Sequence, residues 1–125
     1  MNEACAAAIR RYFSCWLRQD GEALSELLSE DCQYTECYGP QYHGLEQICR
    51  WFSDWNQRGR VLRWDILEML HTGSTTVCRW YFECEYDGTV DGFDGLSLIR
   101  FDDGGSICEV QEYQSKHQHY QPYGA

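Results

Sequence analysis

The first third of the chain carries apolar residues at helical spacing. One stripe, with intervals of three and four residues, predicts a helix and consists of Cys5, Ile9, Tyr12, Phe13, Trp16 and Leu17. Gly21 interrupts this pattern, and Asp20 can cap the segment that follows. We therefore predict a second, shorter helix that ends at residues 29–31, with an apolar face made of Leu24, Leu27 and Leu28.

A third helix is predicted from Gly44, where Gln47 can complete a capping box, to a stop at Gly59. Its apolar residues fall at i, i+3, i+4 and i+7, and they are Ile48, Trp51, Phe52 and Trp55. This helix should therefore bury a heavily aromatic face.

From residue 60 onward the pattern changes to an alternation of period two, which is typical of strands. Four long strands are predicted, at residues 60–71, 75–86, 90–101 and 107–115. Asp87-Gly88 is a strong two-residue hairpin signal, and residues 72–74 and 102–105 supply the other turns. A short strand at residues 32–36 precedes the third helix, and residues 117–125 are predicted to be a tail.

Helices followed by long antiparallel strands indicate an α+β fold, with the helices packed on one face of a curved sheet. The 125 residues show no linker or repeat, so we expect a single domain over 1–125. A sheet that curls around helices leaves a concavity between them. If side chains do not fill that concavity, it is a ligand pocket.

Composition and charge exclude several classes of function. Aromatic residues make up 15%, which argues against disorder, and the formal net charge is −10 with a pI near 4.6. Such a chain is a poor partner for nucleic acid or for an anionic membrane surface. No stretch approaches the roughly 20 apolar residues of a membrane span. The N-terminus lacks a basic region followed by an apolar run, so we expect no signal peptide and a cytoplasmic protein.

The eight cysteines include no CxxC pair, and most lie among apolar residues. We therefore expect buried, reduced thiols rather than a disulfide framework or a zinc ribbon. His117 and His119 alternate near the end of the chain without a third ligand, which is a weak metal signal. We expect neither a metal nor a cofactor.

A series of different short segments follows in a set order along nearly the whole chain: residues 9–13 with Trp16, residues 19–24 and 27–31, residues 34–36, Gly39-Pro40, His43-Gly44, Ile48 with Trp51-Phe52, Asp87-Gly88 and residues 100–105. Together they resemble the SnoaL-like, ketosteroid-isomerase-like superfamily, which has the nuclear transport factor 2-like fold. The resemblance implies a cone-shaped half-barrel, a curved antiparallel sheet wrapped on three N-terminal helices. It also implies a homodimer through the outer sheet face. This fold hosts isomerases, cyclases, dehydratases, hydrolases and non-catalytic binders, so it does not fix the activity.

The resemblance implies roles for two residues. A steroid isomerase of this superfamily places a pocket tyrosine on the first helix, where Tyr12 lies, and a proton-shuttling carboxylate on the first strand, where Glu36 lies. Burial in an aromatic pocket would raise the pKa of Glu36, which suits a base that moves a proton beside a carbonyl. Tyr12 could donate a hydrogen bond to the developing oxyanion. The alternatives are an exposed strand-end glutamate and a core tyrosine. Steroid isomerases of this superfamily have a protonated aspartate at a position where this sequence has Ser97. This difference argues against steroid isomerisation as the activity of this protein.

Other residues complete the predicted site. His71, just before a turn, could act as an acid or base, or be an ordinary surface histidine. An aromatic pocket lining is expected from Trp16, Tyr34, Trp51, Phe52, Trp55, Trp64, Trp80 and Phe82. Such a wall suits a small apolar or aromatic molecule.

The sequence therefore favours a cofactor-independent enzyme that transfers a proton on an apolar carbonyl compound, by isomerisation, cyclisation or dehydration. Glu36 would be the base and Tyr12 the oxyanion donor, with Ser97 and His71 as auxiliaries. The alternative is a non-catalytic ligand-binding or dimerisation module of the same fold. A third reaction, hydrolysis of a strained ring, uses an Asp-Arg-Asp arrangement in this superfamily, and no matching trio can be placed in this sequence.

Overall fold

The computed structural model describes residues 2–124, so Met1 and Ala125, the last residue of the predicted tail, lie outside the described residues. The helices are α1 (Asn2–Arg18), α2 (Gly21–Leu27) and α3 (Leu45–Arg58). The strands are β1 (Leu28–Thr35), β2 (Gln41–His43), β3 (Gly59–Thr72), β4 (Thr75–Tyr86), β5 (Thr89–Phe101) and β6 (Ile107–Ser115). Residues 116–124 form neither helix nor strand.

The predicted stripe of α1 is buried, except at its end. Leu17 is 43% exposed, because it follows Trp16 and so lies about 100° around the helix from the buried face. Asp20 caps α2 as predicted, since its Oδ1 accepts a hydrogen bond from the Ala23 N–H at 3.1 Å. At the start of α3, the Gln47 side chain accepts from the N–H of His43 rather than from that of the N-cap, Gly44.

Helix α2 ends earlier than the pattern predicted. Leu28 is already extended, with φ −104° and ψ 143°, and the chain continues directly into β1. Residues 29–31, predicted to end the helix, therefore lie in a strand. Strand β2 was not predicted, since it has three residues and pairs only with β1.

The six strands form one sheet in the order β2-β1-β6-β5-β4-β3. The predicted α+β architecture, with three helices on a curved open sheet, is confirmed. The sheet is mixed rather than wholly antiparallel, because β1 and β6 pair in parallel. Register shifts in the pairing of β3 with β4 bend these strands. In the β4–β5 hairpin, Asp87 and Gly88 both have positive φ, as the sequence predicted for a two-residue turn.

The core lies between the helices and the inner face of the sheet. Its largest fully buried side chains include Trp80, Tyr12, Tyr34, Ile9 and Leu24. All eight cysteines are free, and five of them are buried. Within residues 2–124, no helix is long and apolar enough to cross a membrane.

Gly95 lies opposite Trp80 in the β4–β5 ladder and leaves room for its indole. A Cβ at residue 95 would stand 2.1 Å from the Trp80 ring, which is 1% exposed and packs against the rings of Trp64 and Phe93. We expect Gly95→Ala to lower the free energy of unfolding by about 2 kcal/mol, the usual cost of overpacking a core. Urea denaturation measures this. Gly104→Ala is the matched control, because its Cβ would meet nothing closer than 3.4 Å in an exposed turn. Equal stability of the two variants would contradict the prediction.

Candidate active site

An aromatic cavity of about 40 Å³ lies between α1, α3 and the inner face of the sheet. Nine of its lining residues are aromatic: Trp16, Tyr34, Tyr38, Trp51, Trp55, Trp64, Trp80, Phe82 and Phe93. The others are Glu36, Cys37 and Glu112. We call this space the inner cavity. By volume it holds a few water molecules or one end of a ligand.

A larger cleft of about 590 Å³ adjoins the inner cavity on the solvent side. Four residues line both spaces, and they are Glu36, Tyr38, Trp51 and Trp55. We call the larger space the outer cleft. Its volume falls within the usual 300–1,000 Å³ range of small-molecule sites.

Glu36 lies immediately after β1, where a tight turn directs it into the wall shared by the two spaces. Its backbone N–H donates to the Pro40 carbonyl at 2.9 Å, which closes the turn. The side chain is 9% exposed, and the Tyr42 hydroxyl donates to its Oε2 at 2.6 Å. Burial raises the pKa of Glu36, and the hydrogen bond from Tyr42 opposes that rise by favouring the carboxylate.

Glu112, on β6, is a second carboxyl in the inner cavity, and the sequence interpretation missed it. Its carboxylate accepts hydrogen bonds from the Tyr34 hydroxyl and from the Cys37 backbone N–H. Burial raises the pKa of Glu112 to about 7, and the charge of Glu36 adds to the rise while the Tyr34 hydrogen bond opposes it. A carboxyl in this state exchanges its proton near neutral pH.

The register of the sheet connects Glu112 with a predicted position. Ser97, which the sequence resemblance places at the position of a protonated aspartate of steroid isomerases, pairs directly with Glu112 across β5 and β6. Paired residues in an antiparallel ladder point to the same face. Residue 97 has no carboxyl, but Glu112 supplies one at the paired position of the neighbouring strand.

Tyr12 does not line the inner cavity. It is 1% exposed, and its hydroxyl accepts a hydrogen bond from the Trp16 indole N–H at 2.9 Å. Its ring centroid lies 6.0 Å from that of Tyr34, and hydrogen bonding between the two hydroxyls affects the pKa of both. Burial raises the pKa of Tyr12 well above its usual value. The Tyr12 side chain therefore does not contact the cavity directly but is connected to it by its hydrogen bond with Tyr34.

The other predicted site residues lie outside the inner cavity or at its back. The Ser97 hydroxyl is 1% exposed and accepts a hydrogen bond from the Trp80 indole N–H at 2.9 Å. His71 lies at the far end of β3, where its Nδ1 is 2.7 Å from Thr76 Oγ1, and it lines neither space. Phe52 packs edge-on against Trp16 at 4.6 Å and does not reach the cavity.

The structure brings the seven remaining predicted aromatic residues together in the cavity wall, and they are Trp16, Tyr34, Trp51, Trp55, Trp64, Trp80 and Phe82. Trp64 buries an indole N–H that has no acceptor among the described residues, so the wall contains an unused donor. The thiol of Cys37 is not a nucleophile at neutral pH, because burial raises its pKa to about 12. Within residues 2–124, no three His, Cys, Asp or Glu side chains converge to hold a metal ion.

Several solved structures share this fold. A protein from Catenulispora acidiphila, described as having a ketosteroid isomerase-like fold and in complex with trimethylamine, is 21% identical with a TM-score of 0.77, and the match covers 86% of this chain and 85% of that chain. A candidate polyketide cyclase from Xanthomonas campestris is 17% identical with a TM-score of 0.76, over 90% of this chain and 91% of that chain. An LEH-like epoxide hydrolase from M. tuberculosis is 13% identical with a TM-score of 0.82, over 90% and 84% of the two chains. At these identities the likeness establishes the fold alone.

No curated protein matches the sequence. The SnoaL-like domain, in contrast, matches residues 9–110. This range contains every helix and strand from most of α1 to the first half of β6, together with Glu36 and most of the cavity wall. The protein therefore belongs to the SnoaL-like family.

Proposed function

We propose that this protein is a cofactor-independent enzyme that transfers a proton on an apolar carbonyl compound. The observation that carries the proposal is a pair of carboxyls, Glu36 and Glu112, in one aromatic cavity but in different surroundings. Pairs of titratable groups whose surroundings separate their pKa values are typical of acid–base catalysis.

Their surroundings assign the two roles. Burial raises the pKa of Glu36, but this carboxyl also borders the more open outer cleft and accepts a hydrogen bond from Tyr42, which opposes the rise. Glu112 lines only the inner cavity, and its pKa of about 7 keeps a large fraction protonated at neutral pH. Glu36 is thus the base and Glu112 the acid.

The reaction follows from these roles. Glu36 removes a proton from the carbon next to the carbonyl, and the electron pair of that C–H bond moves to the carbonyl oxygen. Glu112 donates a hydrogen bond to this oxygen, and the enolate is stabilised in a cavity from which most water is excluded. Glu36 then returns its proton to a carbon of the substrate. Tyr34, and Tyr12 behind it, hold Glu112 in position.

The comparisons support small-molecule chemistry on this fold, since some relatives are named for polyketide cyclisation and another for epoxide hydrolysis. For this chain, proton transfer is favoured over hydrolysis of a strained ring. Such hydrolysis in this superfamily uses an Asp-Arg-Asp arrangement, and the lining of the inner cavity contains neither Asp nor Arg. Asp54, Arg58 and Asp91 line the outer cleft, but the guanidinium of Arg58 is paired with Asp87, which does not line that cleft.

Deuterium exchange tests the proposal without knowledge of the final product. The protein is incubated in D₂O with a panel of polyketide, steroid and terpenoid ketones, and proton NMR follows the hydrogens next to each carbonyl. We expect at least one ketone to exchange faster than in buffer alone. Any exchanging ketone should also raise the melting temperature, since a ligand at 100 times its Kd adds about 2.7 kcal/mol to stability. Absence of exchange from every ketone would contradict the proposal.

A non-catalytic ligand-binding module is the second candidate, and the small volume of the inner cavity favours it. In that case ketones would raise the melting temperature without exchange. The homodimer through the outer sheet face stays a prediction.

A further inference from the structure

The wall between the inner cavity and the outer cleft has an unusual composition. Of the four residues that line both spaces, Tyr38, Trp51 and Trp55 are aromatic, and Glu36 is a carboxylate. Tyr38 is 58% exposed, while Trp51 and Trp55 are half-buried, so a ligand in the outer cleft can reach all three rings. Three aromatic side chains and a carboxylate on one shared wall are the groups that form cages for alkylammonium ions.

The two tryptophans are held in place by neighbouring rings. Trp51 stacks on Tyr42 at 4.7 Å with an interplanar angle of 15°, and Trp55 lies 5.4 Å from Tyr86. Trp16 packs against both, with centroids 4.9 and 5.5 Å away. Since their positions are fixed before any ligand arrives, little ordering cost reduces the affinity.

The charge around the cage is negative. The carboxyls that line the two spaces are those of Glu36, Glu112, Asp54 and Asp91. Arg58 is the basic residue among the lining residues, and its guanidinium is paired with Asp87. The net charge of −10 would attract a cation over a longer range.

Arg58 shows that a cation can lie against an aromatic ring of the outer cleft. Its guanidinium carbon stands 5.3 Å from the centroid of Tyr86, a ring of the same outer cleft. This distance is within the range of a cation–π contact.

We propose that the ligand of this site carries an alkylated ammonium group, held by Tyr38, Trp51 and Trp55 with Glu36 as its nearest counter-charge. The inference names the substrate class of the proposed function and rests on that function only in placing the ligand at this cavity. The substrate is then a carbonyl compound that is apolar around the carbonyl group and carries a cationic nitrogen at its other end. The carbonyl end is directed toward Glu112, and the ammonium lies in the cage.

Choline and 3,3-dimethyl-1-butanol separate charge recognition from shape recognition, because the two have the same outline and only choline is charged. Isothermal titration calorimetry with each compound, at equal ionic strength set with NaCl, measures binding without turnover. We expect choline to bind at least about tenfold more tightly than the neutral alcohol. Equal or tighter binding of the alcohol would overturn the inference, as would competition by sodium ions as strong as that by choline.

Tyr38→Leu tests the contribution of the cage itself, with Tyr113→Leu as the matched control. Tyr113 is 51% exposed, close to the exposure of Tyr38, and lines neither space. We expect Tyr38→Leu to weaken choline binding about fivefold and to change binding of the alcohol less, and Tyr113→Leu to change neither. An equal loss for both ligands in Tyr38→Leu would show a purely apolar contact and contradict the inference.

These outcomes distinguish the inference from the proposed function. Choline binding with no deuterium exchange in any ketone would retain the ammonium site and refute catalysis. Exchange of neutral ketones with no choline binding would retain catalysis and refute the ammonium site.

Discussion

Replacing Glu36 with glutamine should slow proton exchange in a responsive ketone by at least about 100-fold. Glutamine has nearly the same shape and can still accept the hydrogen bond from Tyr42, so the fold should be retained. It cannot take a proton from carbon, and general base catalysis usually contributes 10²–10⁴-fold. The initial rate of deuterium incorporation, measured below ligand saturation, reports the loss of kcat/KM.

Glu30→Gln is the control for this variant, since it removes one negative charge from an exposed position on β1 that lines neither space. It should retain the wild-type rate. A Glu36→Gln variant with the wild-type rate and a normal melting temperature would refute Glu36 as the base. An equally large loss in Glu30→Gln would show that the rate depends on net charge rather than on this carboxylate.

The long amphipathic elements of this protein could be predicted because each has a strong local pattern. The period of α1 and the alternation in β4 directly determine which side chains are buried, and the Asp87-Gly88 turn requires positive φ at both residues. The parallel pairing of β1 with β6 could not be predicted in this way. It joins strands from opposite ends of the chain, and no local pattern encodes such a contact. The end of α2 was misplaced because polar residues 29–31 suit a helix end as well as the exposed start of a strand.

The site was predicted in part, for a related reason. Glu36 and the tryptophans could be found because they stand out in type and position. Tyr12 could not be distinguished from a cavity residue, since helical spacing shows that a side chain is buried but not whether it reaches a void. Glu112 was missed although a signal exists. It follows the buried Val110 by two residues in a strand, so the alternation places an acidic side chain on the inner face.

Glu112 should also make the protein less stable as the pH rises. Its pKa is about 7 in the folded protein, against 4.5 for an ordinary glutamate, so the folded state binds the proton more tightly than the unfolded state does. Below pH 4.5 both states are protonated and the stabilisation is complete. As the pH rises to about 7 the unfolded state ionises first, and above that value the stabilisation is lost. The total corresponds to about 3 kcal/mol.

Urea denaturation of the wild type and of Glu112→Gln, at a series of pH values from 5 to 8, isolates this effect. Glutamine stays neutral and can still accept the hydrogen bond from Tyr34, so the stability of the variant relative to the wild type should rise by roughly 2–3 kcal/mol over this range. Other charges contribute to both proteins and cancel in the difference, and Glu30→Gln controls for the loss of one negative charge. The same variant should lose most of its proton exchange, because an amide N–H is a weaker hydrogen-bond donor to the developing enolate oxygen than a carboxylic acid O–H. If the variant is more stable than the wild type at pH 8 but inactive, then the Glu112 carboxyl lowers the stability of the folded protein and is required for its chemistry. A constant difference in stability at every pH would contradict the raised pKa and, with it, the role of Glu112 as the acid.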